Sequence, residues 1–145
     1  MSADSARLAL SEIVGEKWVE VEPFASVNLL SDWTNRFHGR PLAIVKPADT
    51  AEVSAVLKWA NDNNVPVVAQ SGNTSLVGGG TPTADGKAVL LSLQRMNKVE
   101  RIDAVNDTMV VDAGVILQKA QEAARAHGRL FPLSFASEGS ACIGG

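Results

Sequence analysis

The sequence predicts an α/β (α+β) fold in which a small mixed sheet, containing one parallel βαβ unit, is flanked by helices. Two apolar runs are separated by an amphipathic stretch with helical spacing, and the links between them are short. Strands joined through a helix lie parallel, with a right-handed crossover. The composition, 46% hydrophobic and 20% charged over 145 residues, is that of a soluble globular domain with a core of useful size.

The chain begins with a predicted N-terminal helix and an irregular lead-in, which together occupy residues 1–39. The helix is expected over residues 5–14. Gly15 follows it, and glycine adopts the left-handed conformation of a helix end at little cost. Residues 16–41 show neither helical nor strand periodicity, so we expect them to wrap around a larger body as irregular structure.

The βαβ unit follows the lead-in. Residues 42–45 and residues 65–69 are the two apolar runs and are predicted as parallel strands. Asp49 and Glu52 have the spacing of a capping box, which marks the start of the connecting helix. One apolar face of that helix is expected to contain Val53, Val56, Leu57 and Ala60.

The second half of the chain continues the mixed pattern. In order, the sequence predicts a buried strand over 88–93, a hairpin of strands 99–103 and 108–113, a helix over 116–127 capped by Gly128, and a tail made of a short strand and a Ser/Gly-rich loop. The buried side of the last helix is expected to contain Ile116, Ala120, Ala123 and Ala124.

The most informative segment is the loop over residues 70–86, which contains five of the twelve glycines. Gly72, and to a lesser degree Asn73, accepts a positive φ, so successive backbone N–H groups can converge on an anion. Further donors are the hydroxyl groups of Ser71, Thr74 and Ser75. This pattern suits a diphosphate held without a nearby lysine.

Two common phosphate motifs are absent from this loop. A G-x-G-x-x-G pattern fails because Thr83 stands where the third glycine is needed, and a P-loop fails because Ala88 follows Lys87 in place of a hydroxyl residue. A second interpretation of the loop therefore stays open, namely a glycine-rich surface turn between two strands.

Charge and hydropathy exclude several classes of protein. The net charge of −3 gives no basic face for nucleic acid. No apolar run approaches the roughly 20 residues that span a bilayer, so no membrane span is predicted. The first ten residues lack the pattern of a secretory signal, and we expect a cytoplasmic protein.

Few other side chains qualify as catalytic or metal-binding candidates. Arg36 and His38 are interpreted as solvated residues, with a role near a substrate as the alternative. His127 suits the last turn of a helix. Cys142 is the only cysteine, which excludes an internal disulfide and a CxxC site, and it is interpreted as a small space-filling residue. No catalytic residue and no metal site is predicted.

Residues 65–79 resemble the pyrophosphate loop of FAD-linked oxidases of the vanillyl-alcohol-oxidase/PCMH type. Within that family the resemblance is to the branch of glycolate oxidase subunit, D-lactate dehydrogenase and D-2-hydroxyglutarate dehydrogenase. Further segments agree in order and spacing: 47–53, 91–99, 111–115 and 131–145. The resemblance implies that residues 40–145 are the first subdomain of a PCMH-type FAD-binding domain, truncated at its C-terminus.

The resemblance also implies a cofactor and its site. Residues expected around the FAD diphosphate are Gln70, Ser71, Gly72, Asn73, Thr74, Ser75, Gly78 and Gly79. Residues expected against the flavin or its ribityl chain are Pro132, Leu133, Gly139, Ser140, Gly144 and Gly145. Some members of the family attach FAD through a histidine in the first loop, and residues 71–74 contain none, so the FAD is expected to be non-covalent.

The function implied is oxidation of a 2-hydroxy acid, of the D-lactate, glycolate or D-2-hydroxyglutarate class. Hydride would pass from the α-carbon to flavin N5, and the electrons would pass to a separate acceptor. Catalytic residues of the family are expected outside these 145 residues, so the chain alone is expected to be inactive. One alternative is a non-catalytic truncated fragment that acts as an assembly module through an open sheet edge, for which a homo-oligomer is left open. Another is a reductase of the enolpyruvyl-glucosamine type, against which Met96-Asn97 and Gly139-Ser140 argue.

Overall fold

The computed structural model describes all residues from Met1 to Gly145, and it confirms the mixed α/β fold. Its three helices, α1 to α3, span Ala3–Val14, Thr50–Asp62 and Leu117–Ala126. Its six strands, β1 to β6, span Val19–Glu20, Ala43–Val45, Val67–Gln70, Val89–Ser92, Val99–Asp103 and Thr108–Val111. Two short 3₁₀ turns, Glu16–Trp18 and Val27–Leu29, lie in the lead-in, which we define as residues 16–39.

The larger sheet has four strands in the order β1-β2-β4-β3. Strands β2 and β3 both pair parallel with β4, and Leu90 of β4 lies between Ile44 and Val68. The predicted parallel relation of β2 and β3 is therefore confirmed, with β4 inserted between them. Strand β1 pairs antiparallel with β2, which makes the sheet mixed. The sequence did not predict β1, because two residues are too few to show an alternation.

The ends of α1 and α2 follow the predicted capping. Gly15 adopts a φ of 87° and donates its N–H to the carbonyl of Ser11. At the start of α2, the Asp49 carboxylate accepts the N–H of Glu52 at 2.9 Å. The Glu52 carboxylate in turn accepts the N–H of Ala48 at 2.6 Å, one residue before the expected cap position. Local hydrogen bonds thus fix where these helices begin and end.

The end of α3 also agrees with the prediction. Gly128 has a φ of 68° and donates its N–H to the carbonyl of Arg125 at 3.0 Å. Arg129 donates its N–H to the carbonyl of Ala124, also at 3.0 Å. This pair of bonds is a Schellman motif, in which a glycine in the left-handed region lets the chain reverse and satisfy the last helical carbonyls.

Three details of the predicted elements are wrong. In α2, Leu57 is 45% exposed, and the larger Trp59 packs against the core in its place. In α3, Ile116 is the residue before the helix and is 39% exposed, so the buried face contains Leu117 and Gln121 instead. The tail forms no strand: its one ladder contact is an isolated bridge between Ile116 and Cys142.

Both faces of the larger sheet are covered. On one face, α1 and α2 pack in a single buried cluster with side chains that include Ala43, Val45, Val89 and Leu91. On the other face, Leu29 of the lead-in packs with Ile44 and Leu90. The hairpin β5–β6 forms a separate two-stranded antiparallel sheet, as predicted, and lies against α3. The lead-in is therefore a packed layer of the fold.

A hydrogen-bonded turn around Asp32 shapes the end of the lead-in. Asp32 is 3% exposed, and its carboxylate accepts the backbone N–H groups of Thr34, Arg36 and Phe37 at 2.9 to 3.1 Å, as well as the Thr34 hydroxyl. Desolvation alone would raise the pKa of Asp32, but these hydrogen bonds outweigh it and lower the pKa from 3.8 to about 2. The turn leaves Arg36 and His38 exposed, as predicted.

Removing a buried side chain of α1 tests whether this helix belongs to the core. Leu10 is fully buried, and we expect Leu10→Ala to lower the free energy of unfolding by about 2–5 kcal/mol, because it removes apolar burial and leaves a cavity. Leu8, in the same helix, is 72% exposed and provides the control variant Leu8→Ala, expected within about 0.5 kcal/mol of the native chain. Urea unfolding followed by circular dichroism measures both. Equal losses would contradict the packing of α1.

Acid unfolding tests the Asp32 turn. The folded state holds the pKa of Asp32 at about 2 against an ordinary 3.8, so its stabilisation is complete above the ordinary pKa and is lost as the pH falls through the folded value. We expect Asp32→Asn to be less stable than the native chain near neutral pH, and the difference to shrink as the pH falls from about 4 to about 2. Urea titrations across this range measure it. A difference that stays constant with pH would contradict the assignment.

Candidate functional site

Two loops meet at the carboxyl ends of the parallel strands. Strand β3 ends at Gln70 and β4 at Ser92, and the first loop (residues 70–80) begins where β3 stops. Ligands of open α/β sheets bind beside the carboxyl ends of parallel strands. The second loop (residues 139–145) arrives from the far end of the chain, where Gly144 donates its N–H to Ala113 and Ile143 to Val115. These backbone bonds fix the second loop to residues 113–115.

A cleft of about 450 Å³, the first cleft, opens between the two loops. Its lining residues are Ala69, Gln70, Ser71, Gly72, Asn73, Thr74, Ser75, Gly79, Gly80, Cys142, Ile143, Gly144 and Gly145. A second cleft of about 410 Å³ shares Ser71, Gly72 and Cys142 with it. The other lining residues of the second cleft are Gln94, Asn97, Gly114, Ile116, Lys119, Gly139 and Ser140. The two clefts are thus neighbours on either side of a shared ridge.

The ridge depends on the absence of side chains at close contacts. A Cβ atom on Gly72 would overlap the carbonyl oxygen of Ser140. On the other side of the ridge, a Cβ atom on Gly145 would lie 2.6 Å from the Ser71 hydroxyl oxygen. Glycine permits two backbones to approach this closely because it has no Cβ atom. This contact explains why loops about seventy positions apart in the sequence form one site.

Most of the residues predicted for the site come together in these clefts. All the predicted residues of the first loop except Gly78 line the first cleft, together with Gly144 and Gly145. Gly139 and Ser140 line the second cleft. Gly78 lines neither cleft: it has a φ of 73° and packs against the ring of Phe37. Pro132 and Leu133 also line neither cleft, and the Leu133 carbonyl accepts a hydrogen bond from Gln121. The contacts of all these residues with a cofactor stay predictions.

The backbone of the first loop presents free hydrogen-bond donors. None of the N–H groups of residues 71–76 donates to another residue of the chain. The Ser71 hydroxyl, in a residue only 3% exposed, also has no partner. Buried polar groups are normally paired, so the Ser71 hydroxyl calls for a partner from outside the chain, and the free N–H groups beside it are available to the same ligand. Phosphate oxygens are such acceptors, and the residues present therefore fit a diphosphate.

The side-chain amides of Gln70 and Asn73 bind within the chain. The Gln70 amide donates to the carbonyls of Leu29 at 3.1 Å and Gly80 at 2.8 Å. The Asn73 amide donates to the carbonyls of Asn28 at 3.0 Å and Ser31 at 2.8 Å. Their N–H groups are therefore used within the chain and are not free to bind phosphate. This role of the lead-in is not visible in the sequence, because every residue has a backbone carbonyl group.

Charge plays a minor part in the first cleft. No lysine, arginine or histidine lines it, and Lys119 in the second cleft donates to the carbonyl of Asn97 at 2.7 Å. Cys142 lines both clefts, and desolvation raises the pKa of its thiol, which keeps it protonated and neutral. No group of three or more His, Cys, Asp or Glu side chains could hold a metal ion. The groups that this cleft offers to an anion are therefore backbone N–H groups and hydroxyl groups.

Enlarging Gly72 tests the contact between the loops. We expect Gly72→Ala to lower the free energy of unfolding by about 1–3 kcal/mol, because the added methyl group has no space beside Ser140. Gly79→Ala is the matched control, since a Cβ atom there has nothing within 4 Å. Urea unfolding of both variants measures the difference. If the two variants are equally stable, the loops do not pack as described.

Comparison with known proteins gives a consistent result. A family model described as "FAD binding domain" matches residues 41–145. D-2-hydroxyglutarate dehydrogenase of Xanthomonas citri pv. viticola is 41% identical over 142 residues, which cover 98% of this chain and 30% of that protein. D-lactate dehydrogenase of Archaeoglobus fulgidus is 41% identical over 102 residues, which cover 70% of this chain and 22% of that protein. The chain thus spans less than a third of the length of these relatives.

Solved structures agree on the fold. The structure of p-cresol methylhydroxylase with substrate bound matches with a TM-score of 0.72 at 25% identity, over 97% of this chain and 28% of that one. The resemblance predicted from the two loops is thereby confirmed, and so is FAD as the cofactor. None of the helices is long and apolar enough to cross a membrane. The chain belongs to the FAD binding domain family and has the PCMH-type fold.

Proposed function

We propose that this chain holds the diphosphate of FAD in the first cleft, through the free backbone N–H groups of residues 71–76 and the Ser71 hydroxyl. The single observation that supports this proposal is the run of unpaired donors beside a buried hydroxyl at the carboxyl end of β3. Thr74, Ser75 and Gly79 complete the diphosphate side, with Gly144 and Gly145 opposite. The ribityl and flavin portion then lies along Gly139 and Ser140 in the adjoining cleft.

We infer that the cofactor is bound without a covalent bond. The lining of the first cleft contains no histidine. Cys142 is the one nucleophilic thiol there, and the raised pKa of this group disfavours the reactive thiolate. Both observations support the non-covalent attachment that the first loop predicts.

We also propose that the chain serves an enzyme that oxidises a 2-hydroxy acid. The similarity to proteins named D-2-hydroxyglutarate dehydrogenase and D-lactate dehydrogenase supports this substrate class. When bound, FAD supplies the hydride-accepting chemistry, while the protein binds and orients it. Apart from Cys142, no titratable group lines the first cleft, so these residues bind the cofactor and transfer no proton. Substrate-binding and acid–base groups are proposed to lie outside the chain, as does the electron acceptor.

The remaining expectations stay predictions. These are a cytoplasmic location, a homo-oligomeric state and the division between residues 1–39 and residues 40–145. Membership of the FAD binding domain family does not favour the alternative of a non-catalytic interaction module.

Flavin titration tests the diphosphate proposal. We expect the chain to bind FAD at least about tenfold more tightly than riboflavin, because riboflavin has no phosphate to accept the free N–H groups. Fluorescence titration measures both affinities, with flavin mononucleotide as an intermediate case. After acid precipitation the flavin should remain in the supernatant. Equal affinity for FAD and riboflavin would contradict the diphosphate site, and flavin in the pellet would contradict non-covalent binding.

The oxidation proposal needs the complete gene product. We expect it to reduce a dye with D-2-hydroxyglutarate, D-lactate or glycolate, and the 145-residue chain with FAD to reduce none. A flavin-loaded complete product that is inactive with all three acids would contradict the substrate class and leave the diphosphate site standing.

A further inference from the structure

We propose that the lead-in is the positioning element of the FAD site, and that Asn73 is the positioning residue through which it acts. The inference rests on the proposed diphosphate function of the first loop. Residues 26–32 line neither cleft, and we infer that they fix the conformation of the first loop. The Asn73 side chain then binds these residues and does not bind the cofactor.

Asn73 lies in the middle of the run of free donors. Its φ of 49° is in the left-handed region, which asparagine tolerates better than most residues. Its side chain donates two hydrogen bonds to carbonyl groups, those of Asn28 and Ser31, more than forty positions earlier in the chain. The conformation that aims the neighbouring N–H groups outward is therefore fixed by contacts with the lead-in.

Gln70 makes the same kind of contact at the ends of the loop. Its amide joins the carbonyl of Leu29 in the lead-in to the carbonyl of Gly80, where the first loop finishes. Gln70 is 3% exposed, so these bonds lie in a dry environment where an unpaired carbonyl would be costly. Three backbone carbonyls within residues 26–32 thus accept hydrogen bonds from the first loop. Two of them bind Asn73 in the middle of the loop, and one binds Gln70, which also joins the two ends of the loop.

Residues 26–32 are themselves held in place, because a carboxylate accepts hydrogen bonds at each end of this segment. At its start, the Glu20 carboxylate accepts the backbone N–H of Ser26 at 2.8 Å and its hydroxyl at 2.6 Å, and pairs with Lys46 at 2.5 Å. At its end, Asp32 accepts three backbone N–H groups. Between them, Leu29 is buried against the sheet. The lead-in is therefore ordered by its own contacts. Because it holds the first loop in place, the free energy of ligand binding is not reduced by the cost of ordering that loop.

Two asparagines with a positive φ provide a matched pair of variants. Asn73→Gly keeps the backbone conformation accessible but removes both hydrogen bonds to the lead-in. Asn64→Gly makes the same change at an exposed asparagine with a φ of 53°, beyond the end of α2. We expect Asn73→Gly to raise the Kd for FAD by about tenfold or more and Asn64→Gly to change it less than about twofold. Riboflavin affinity should not change in either variant, whereas general loss of structure would weaken both flavins.

A readout without flavin separates this inference from the proposed function. Leu76 and Val77 of the first loop are exposed apolar side chains, next to which thermolysin can cleave, and mass spectrometry of the fragments identifies cuts at this loop. We expect faster cleavage there in Asn73→Gly, and also in Asp32→Asn, which loosens the lead-in without altering the loop. Asn64→Gly should be cut at the native rate. Circular dichroism confirms that each variant is folded.

The outcomes are distinct. If the native chain binds no FAD but the cleavage differences appear, the proposed function fails and the lead-in still positions the loop. If the native chain binds FAD, and Asn73→Gly binds it equally and is cut no faster, the positioning role is overturned and the function stands. If Asn73→Gly does not fold, Asp32→Asn decides by the same two measurements.

Discussion

A run of backbone donors must stay free of partners for this site to exist, and the rest of the fold is arranged around that constraint. Residues 71–76 follow the edge strand β3 and enter no helix or strand, and their N–H groups have no partner within the chain. A loop of this kind would ordinarily be mobile. Here Gly72 packs on the second loop, and Gln70 and Asn73 bind the lead-in. Contacts from both sides order the loop while its donors remain available.

The first cleft suits a negatively charged ligand although no basic side chain lines it. No cation lines the first cleft of a chain whose net charge is −3. Dipoles fixed in position hold an anion without the desolvation cost of burying a lysine. The same solution appears at Asp32, whose carboxylate is satisfied by backbone N–H groups and the Thr34 hydroxyl and by no basic residue.

Features that rest on local contacts could be predicted from the sequence. The Asp49 cap, the hairpin β5–β6 and the turn at Gly128 each involve residues only a few positions apart, so spacing alone reveals them. The exposure of Leu57 could not be predicted, because periodicity does not distinguish a residue at the centre of an apolar face from one at its edge. Position in the sheet is likewise non-local, which is why β4 between β2 and β3 was not foreseen.

The residues of the site also differ in whether the sequence alone reveals their role. Gly72 and Gly145 were both expected at the site, and the two loops approach each other closely at these two glycines. Gln70 and Asn73 were expected at the site, but the sequence does not reveal the partners of their side-chain amides. Three of these partners are backbone carbonyls of the lead-in, more than forty positions away, which any residue could supply. A site that binds its ligand largely through the backbone is therefore recognised from its glycines, while the residues that shape it become visible only once the chain is folded.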